Sequence, residues 1–194
     1  MTIYEERYVA FLDVLGWKEF ITLSVSDPNL LHRVAALLEG AKTFEERAVD
    51  QSGYGFDCCR FSDSIVISIP MRDDIWTYLF VEYVAQIAQS FAALGFFLRG
   101  ALVKGSLYHR GNDVFGPALI EAIALEANVA SVPRIIFGDT MDAAIRGNFR
   151  LGLHAVGCEA ILTDADGVNF VNWLELLIRA MFEFVGSMPG WPVT

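Results

Sequence analysis

Cysteine, histidine and positive charge are all scarce in this chain, and each scarcity removes a class of protein. Three cysteines among 194 residues, with Cys58 and Cys59 adjacent and Cys158 far away, make a poor disulfide framework and fit a reducing compartment, where they serve as core residues. The three histidines, His32, His109 and His154, stand apart with no metal-ligand spacing, so a zinc site is not expected. Lysine and arginine number 14 against 24 aspartates and glutamates, a formal net charge of −10. DNA, RNA and anionic membranes all select a basic surface, so this balance argues against non-specific contact with any of them. A mean hydropathy of +0.42 invites a membrane reading, but charge breaks every apolar run well short of the roughly 18 residues a span requires. The start, Met1 to Arg7, lacks the basic head, apolar middle and small-residue cleavage site of a secretory signal, and the expected location is the cytoplasm.

What the chain has in abundance is apolar side chains, 54% against 20% charged, which speaks for a dense core and against disorder. The length suits one domain over residues 1–194. Its elements read as follows. Tyr8 to Leu12 is an apolar strand ending in Asp13-Val14-Leu15-Gly16. A short helix follows from Trp17 to Leu23, and Asp27-Pro28 opens a longer one by N-cap and first-turn proline. Cys58 to Phe61 and Ile65 to Ile69 are strand-like runs joined by the turn residues Ser62-Asp63-Ser64. Asp73-Asp74 starts the helix expected to be the longest, which Gly95 ends. Phe96 to Gly105 is a further strand whose Arg99, Gly100 and Gly105 imply close backbone packing and a buried partner for the arginine. A polar connection turning near Gly111 leads to a helix from Pro117, then a strand ending at Phe137 and a short helix from Asp139. Asp164-Ala165-Asp166-Gly167 reads as the turn of a late hairpin rather than a calcium loop, because the remaining ligand positions are missing, and Trp173 to Val185 as an amphipathic helix.

Strand, helices, hairpin, helix, strand is the order of a ferredoxin-like β-α-β-β-α-β core, an α+β fold with an antiparallel sheet and helices on one face. In that arrangement the first strand lies beside the hairpin, so Asp13 and Asp63 converge at the end of the sheet. An aspartate alone in such a turn closes a hairpin as often as it carries chemistry. Two converging carboxylates, with a glycine after one to admit a ligand, suit a divalent cation that holds phosphates.

The same residues resemble the catalytic domain of class III nucleotidyl cyclases. Phe11-Leu12-Asp13-Val14-Leu15-Gly16-Trp17 is similar to that family's first-strand motif, and Ser62-Asp63 to its hairpin Gly-Asp. Arg99, Gly105, Asp113-Val114-Phe115-Gly116 and Leu125-Glu126 follow in the family's order, so the likeness spans about Tyr8 to Phe137. Phe-Leu-Asp-Val-Leu-Gly, Phe-Ser-Asp-Ser, Leu-Arg-Gly and Pro-Arg-Ile look most like the stand-alone pyrimidine cyclases of bacterial Pycsar anti-phage systems.

The resemblance implies conversion of UTP, or less readily CTP, to a 3′,5′-cyclic nucleotide and pyrophosphate, with the product activating a separate effector. It implies two Mn²⁺ or Mg²⁺ ions per site on Asp13, Asp63 and the Val14 carbonyl, phosphates on the amides of Leu15, Gly16 and Trp17, and sites at the interface of a homodimer. Tyr54, Cys59 and Asp113 are the candidates for the base or ribose pocket. The departures from the family are Ile120 and Ala124, where an Asn and an Arg steady the ribose and the transition state, Cys59 in place of the purine-selecting Lys or Glu, and the absence of the expected phosphate-binding Lys near the C-terminal hairpin. Arg60, Lys104 and Arg134 are the candidate replacement cations. A catalytically inactive cyclase-like module and a polymerase-palm-like nucleotidyltransferase are the rival readings.

Overall fold

The computed structural model describes residues 3–50, 55–72, 74–148, 161–175 and 178. The chain runs β1 (Glu5–Val14), α1 (Trp17–Ser24), α2 (Pro28–Asp50), β2 (Asp57–Phe61), β3 (Ser64–Pro70), α3 (Asp74–Ala93), β4 (Leu98–Arg110), β5 (Asp113–Phe115), α4 (Pro117–Asn128), β6 (Ile135–Phe137), α5 (Asp139–Asn148), β7 (Ile161–Thr163) and β8 (Asn169–Val171). Local chemistry sets several of these boundaries. Asp27 accepts hydrogen bonds on Oδ1 from the amides of Asn29 and Leu30 and so caps α2. Gly95, at φ 81°, closes α3. α2, at 23 residues, is longer than α3, at 20, so the longest helix is not the one expected.

The sheet is ordered β2-β3-β1-β4-β6-β8-β7, with β5 paired to β4 off this path. Its first four strands are antiparallel and carry the ferredoxin-like order. β6 adds to β4 in parallel, and the β7–β8 hairpin extends that edge.

Strand alternation sends Tyr8, Ala10 and Leu12 of β1 to one face, where α2 (Leu30, Val34, Leu37), α3 (Phe80, Val84, Ile87, Phe91) and α5 (Met141, Ile145) cover them. Val9, with Val66 and Val103, points the other way and packs against Ala118 and Ala122 of α4. The helices expected on one face are thus joined by one on the other. Gly100 allows β4 to lie tightly against β1, since a Cβ there would run into the Phe11 carbonyl and the Leu12 side chain. No helix among the described residues is long and apolar enough to cross a membrane.

Candidate active site

Asp13 is the last polar residue of β1 and lies on the α4 side of the sheet, in register with Ser64 on β3 and Arg99 on β4. Asp63 is in the two-residue turn that joins β2 to β3, and its carbonyl accepts a 3.1 Å hydrogen bond from the Val14 amide. That bond ties the turn to the residue after Asp13, so the two aspartates are held together by main chain. Ser62, the other turn residue, sits at φ 59°, a left-handed conformation that costs a non-glycine residue roughly 1 kcal/mol. Such strain is characteristic of sites that must hold a particular geometry.

The electrostatics bear on the same point. Burial raises the affinity of Asp13 for a proton, the charge of Asp63 raises it further, and Arg99 opposes both. Arg99 Nε lies 3.4 Å from Asp13 Oδ2 and also pairs with Glu126 Oε1 on α4. Ser64 Oγ donates to Asp13 Oδ1 at 3.3 Å. Glu126 likewise holds its proton more tightly than an ordinary glutamate, first through burial, with Asp13 and Asp63 adding to it against Arg99. The arginine expected to anchor an internal carboxylate therefore touches two. Glu126 entered the sequence reading only as part of a motif. Its signal was there, because Ala118, Ala122 and Glu126 are spaced by four and form the buried stripe of α4.

Two carboxylates that repel each other at a half-buried sheet end fit a divalent cation. Mg²⁺ and Mn²⁺ need no closed protein cage, since one or two carboxylates with substrate phosphates and water complete the shell. Among the described residues no three His, Cys, Asp or Glu side chains converge to hold a metal by themselves. Asp13, Asp63 and the Val14 carbonyl are the groups that would hold the ion.

The remaining expected site residues divide sharply. Gly16, at φ 74°, is the N-cap of α1, and the amides of Gly16 and Trp17 meet no carbonyl of the described residues at this helix start. Leu15 is a correction: its amide donates to the Phe97 carbonyl at 2.9 Å and is not open to a phosphate. Asp113 is exposed and lines an open groove of about 580 Å³ with Phe61, Tyr108, Asn112 and Phe115. Cys59 is fully buried against Val9 and Val66, so it lines no such opening. Tyr54 lies outside the described residues.

None of the three candidate cations reaches the aspartates. Lys104 stands beside Tyr8 in the β1–β4 ladder, on the face opposite Asp13, because residues five apart in one strand point in opposite directions. Arg60 is turned to that same helical face and donates to the Leu38 carbonyl of α2 at 3.0 Å. Arg134 is buried and binds Asp164 at 2.7 Å and Asp166 at 2.6 Å, fastening the β7–β8 turn. The cation that does meet Asp13 is Arg99.

No protein-family model matches this sequence, and no curated protein is significantly similar to it. Solved structures do match in shape. The catalytic core of a rhodopsin-guanylyl cyclase with converted specificity, in complex with ATPαS, superposes with a TM-score of 0.59 at 15% identity over 87% of this chain and 95% of that one. The monomeric guanylyl cyclase domain of the RhoGC fusion protein from the aquatic fungus Blastocladiella emersonii gives 0.61 at 13% over 87% and 95%. A class III adenylyl cyclase-like ATP-binding protein from Pseudomonas aeruginosa gives 0.52 at 11% over 92% and 40%. The chain has the fold of class III nucleotidyl cyclase catalytic domains.

Proposed function

We propose that this chain is a nucleotidyl cyclase that closes a nucleoside triphosphate to its 3′,5′-cyclic monophosphate and releases pyrophosphate. The observation that carries the reading is the main-chain tie between Val14 and Asp63, which puts two carboxylates at one end of the cyclase-type sheet. Asp13 and Asp63 hold the metal, and a bound pair of divalent cations would supply an acidified ribose 3′-hydroxyl and a neutralised triphosphate. The amides of Gly16 and Trp17 orient the outer phosphates at a helix start. Glu19 in the first turn of α1 works against that binding, which places more of the phosphate charge on the metal site.

The finer reading is a pyrimidine cyclase, UTP before CTP, acting in anti-phage signalling through a separate effector. Its support is the run of motifs that resemble the Pycsar enzymes, together with Cys59: at the position where the family selects purines, a buried thiol offers no charged side chain to the base. Asp113 and Phe61 are the groove residues left to meet it. A homodimer is supported by exposed apolar side chains, Phe61 at 49% and Phe115 at 48% in that groove and Ile120 at 71% on α4. A second copy would cover them and complete each site.

One observation favours a non-catalytic reading. The solvent side of α4 carries Ile120 and Ala124, both exposed and neither able to hydrogen-bond a ribose or a phosphate. In that case the chain binds nucleotide and signals by shape. Incubating the purified full chain with each of the four nucleoside triphosphates and Mn²⁺, with mass spectrometry of the products, separates the readings. A cyclic pyrimidine nucleotide lost in Asp63→Ala supports the proposal. Bound but unconverted nucleotide supports the inactive module, and a linear linked product the polymerase-like enzyme.

A further inference from the structure

The groove beside Asp113 has two walls, and a buried chain of polar groups joins them. One wall is the β4–β5 hairpin: β4 leaves β1 after Leu107 and runs on against β5, with Tyr108 opposite Phe115, His109 opposite Val114 and Arg110 opposite Asp113. The other is Phe61, the last residue of β2. Strand alternation puts the Tyr108 and Phe115 rings, stacked at 4.8 Å, on the face of the hairpin opposite to His109. The rings line the groove, and the histidine is buried beneath them at 3% exposure.

β1 lies between β3 and β4 in the sheet, so the 2.8 Å contact from His109 Nδ1 to Ser68 Oγ on β3 reaches past a whole strand. Ser68 Oγ accepts a hydrogen bond from Arg7 Nε on β1, also at 2.8 Å, and Arg7 Nη2 donates at 2.6 Å to Asp57, the first residue of β2. The chain of contacts thus begins in one wall of the groove and ends in the strand that carries the other. Ser68 and Arg7 are as buried as the histidine. Exchanging such buried polar groups for apolar ones of similar volume is often neutral for stability. What their hydrogen bonds add is a fixed distance and direction between the strands.

We propose that His109, Ser68 and Arg7 are positioning residues of the groove: their hydrogen bonds fix the β4–β5 hairpin against β2, and so set the opening between Phe61 and the Tyr108–Phe115 pair that receives the base of a nucleotide. The inference rests on the cyclase reading and deepens it. All three side chains are buried, so they act through the residues that line the groove. Burial and the charge of Arg7 keep the His109 ring uncharged at neutral pH. A leucine there removes the hydrogen bond without altering the charge near the groove.

The test is calorimetric titration of the full chain, in the presence of Mn²⁺, with two ligands. One is α,β-methylene-UTP, in which the bond to the leaving pyrophosphate cannot break; the other is tripolyphosphate, which has no base. His109→Leu weakens binding of the analogue by about tenfold, the scale of one hydrogen bond, and leaves tripolyphosphate binding unchanged. His109→Asn, which keeps a hydrogen-bonding group near the place of Nδ1, restores the affinity. Ser68→Ala, a smaller change at the other end of the same contact, reproduces the loss and serves where the leucine variant does not fold. An equal loss for both ligands marks a general loss of structure and overturns the inference. So does an unchanged affinity for the analogue in folded His109→Leu or Ser68→Ala, or a loss that His109→Asn does not repair; each of these leaves the cyclase reading standing. Wild-type protein that fails to bind either one of the two ligands overturns the nucleotide site and the inference with it.

Discussion

Ser68 Oγ lies 2.8 Å from Nδ1 of His109, deep between β3 and β4. The hydroxyl already accepts a 2.8 Å hydrogen bond from Nε of Arg7, whose Nη2 is held by Asp57 at 2.6 Å. With its own proton and a second lone pair still available, Ser68 Oγ meets Nδ1 of the ring as donor or as acceptor, so this hydrogen bond forms with either tautomer of the neutral imidazole. Burial first, and the charge of Arg7 second, lower the His109 pKa from 6.5 to about 4.

A stability change with pH follows. Between pH 6.5 and about 4 the unfolded chain binds a proton at this histidine and the folded one does not, so stability falls as the pH is lowered through that window. The contribution, whole above it and gone below it, is about 3 kcal/mol. Urea unfolding of wild type and His109→Asn at a series of pH values checks this: the difference between the two slopes across the window isolates the histidine. Equal slopes would show that His109 does not bind its proton differently in the two states.

Removing charge at the active site has opposite effects on stability and function. Burial and the charge of Asp63 both disfavour ionised Asp13, so Asp63→Asn relieves repulsion and raises the Tm of metal-free protein by roughly 1–3 °C. On the proposed metal site the same change removes a ligand, and the proposed turnover falls by at least about a hundredfold. Thermal melts with and without Mn²⁺ read both effects at once. In wild type the metal raises the Tm, and in the variant that increment disappears.

Gly100→Ala tests how closely β1 and β4 approach. A methyl there meets backbone, the Phe11 carbonyl, rather than a side chain that could turn aside. The central strands must separate, at a cost of about 2–3 kcal/mol in denaturant unfolding. The neighbouring Arg99 moves with the strand, so activity measured below the Tm falls as well.

Arg134→Lys distinguishes an anchor from a catalytic cation. A lysine keeps the charge but cannot match the paired contacts to Asp164 and Asp166, and the β7–β8 turn loosens with a loss of about 1–3 kcal/mol. Turnover at a temperature where both proteins are folded stays within about threefold of wild type. A hundredfold loss with unchanged stability would put Arg134 in the chemistry instead.

The elements were legible in the sequence because they depend on local chemistry. Alternating apolar residues make strands, Asp27 and Gly95 mark helix ends, and a two-residue turn leaves β3 beside β2 whatever else the chain does. Topology then brings β1 alongside, and Asp13 with it. Parity also exposes one error from sequence alone: Lys104 and Arg99 are an odd number apart in one strand and cannot share a face.

Which cation meets which carboxylate was settled only by tertiary packing. Arg134 finds Asp164 and Asp166 about thirty positions later in the chain, Arg60 is taken up by the backbone of α2, and Arg99 is shared between Asp13 and a glutamate on α4. The amino-acid order states that these charges exist and that burial will force each to find a partner. It does not rank the partners, because that depends on distances and exposures created when the helices close over the sheet, where a displacement of an ångström decides which oxygen an arginine prefers.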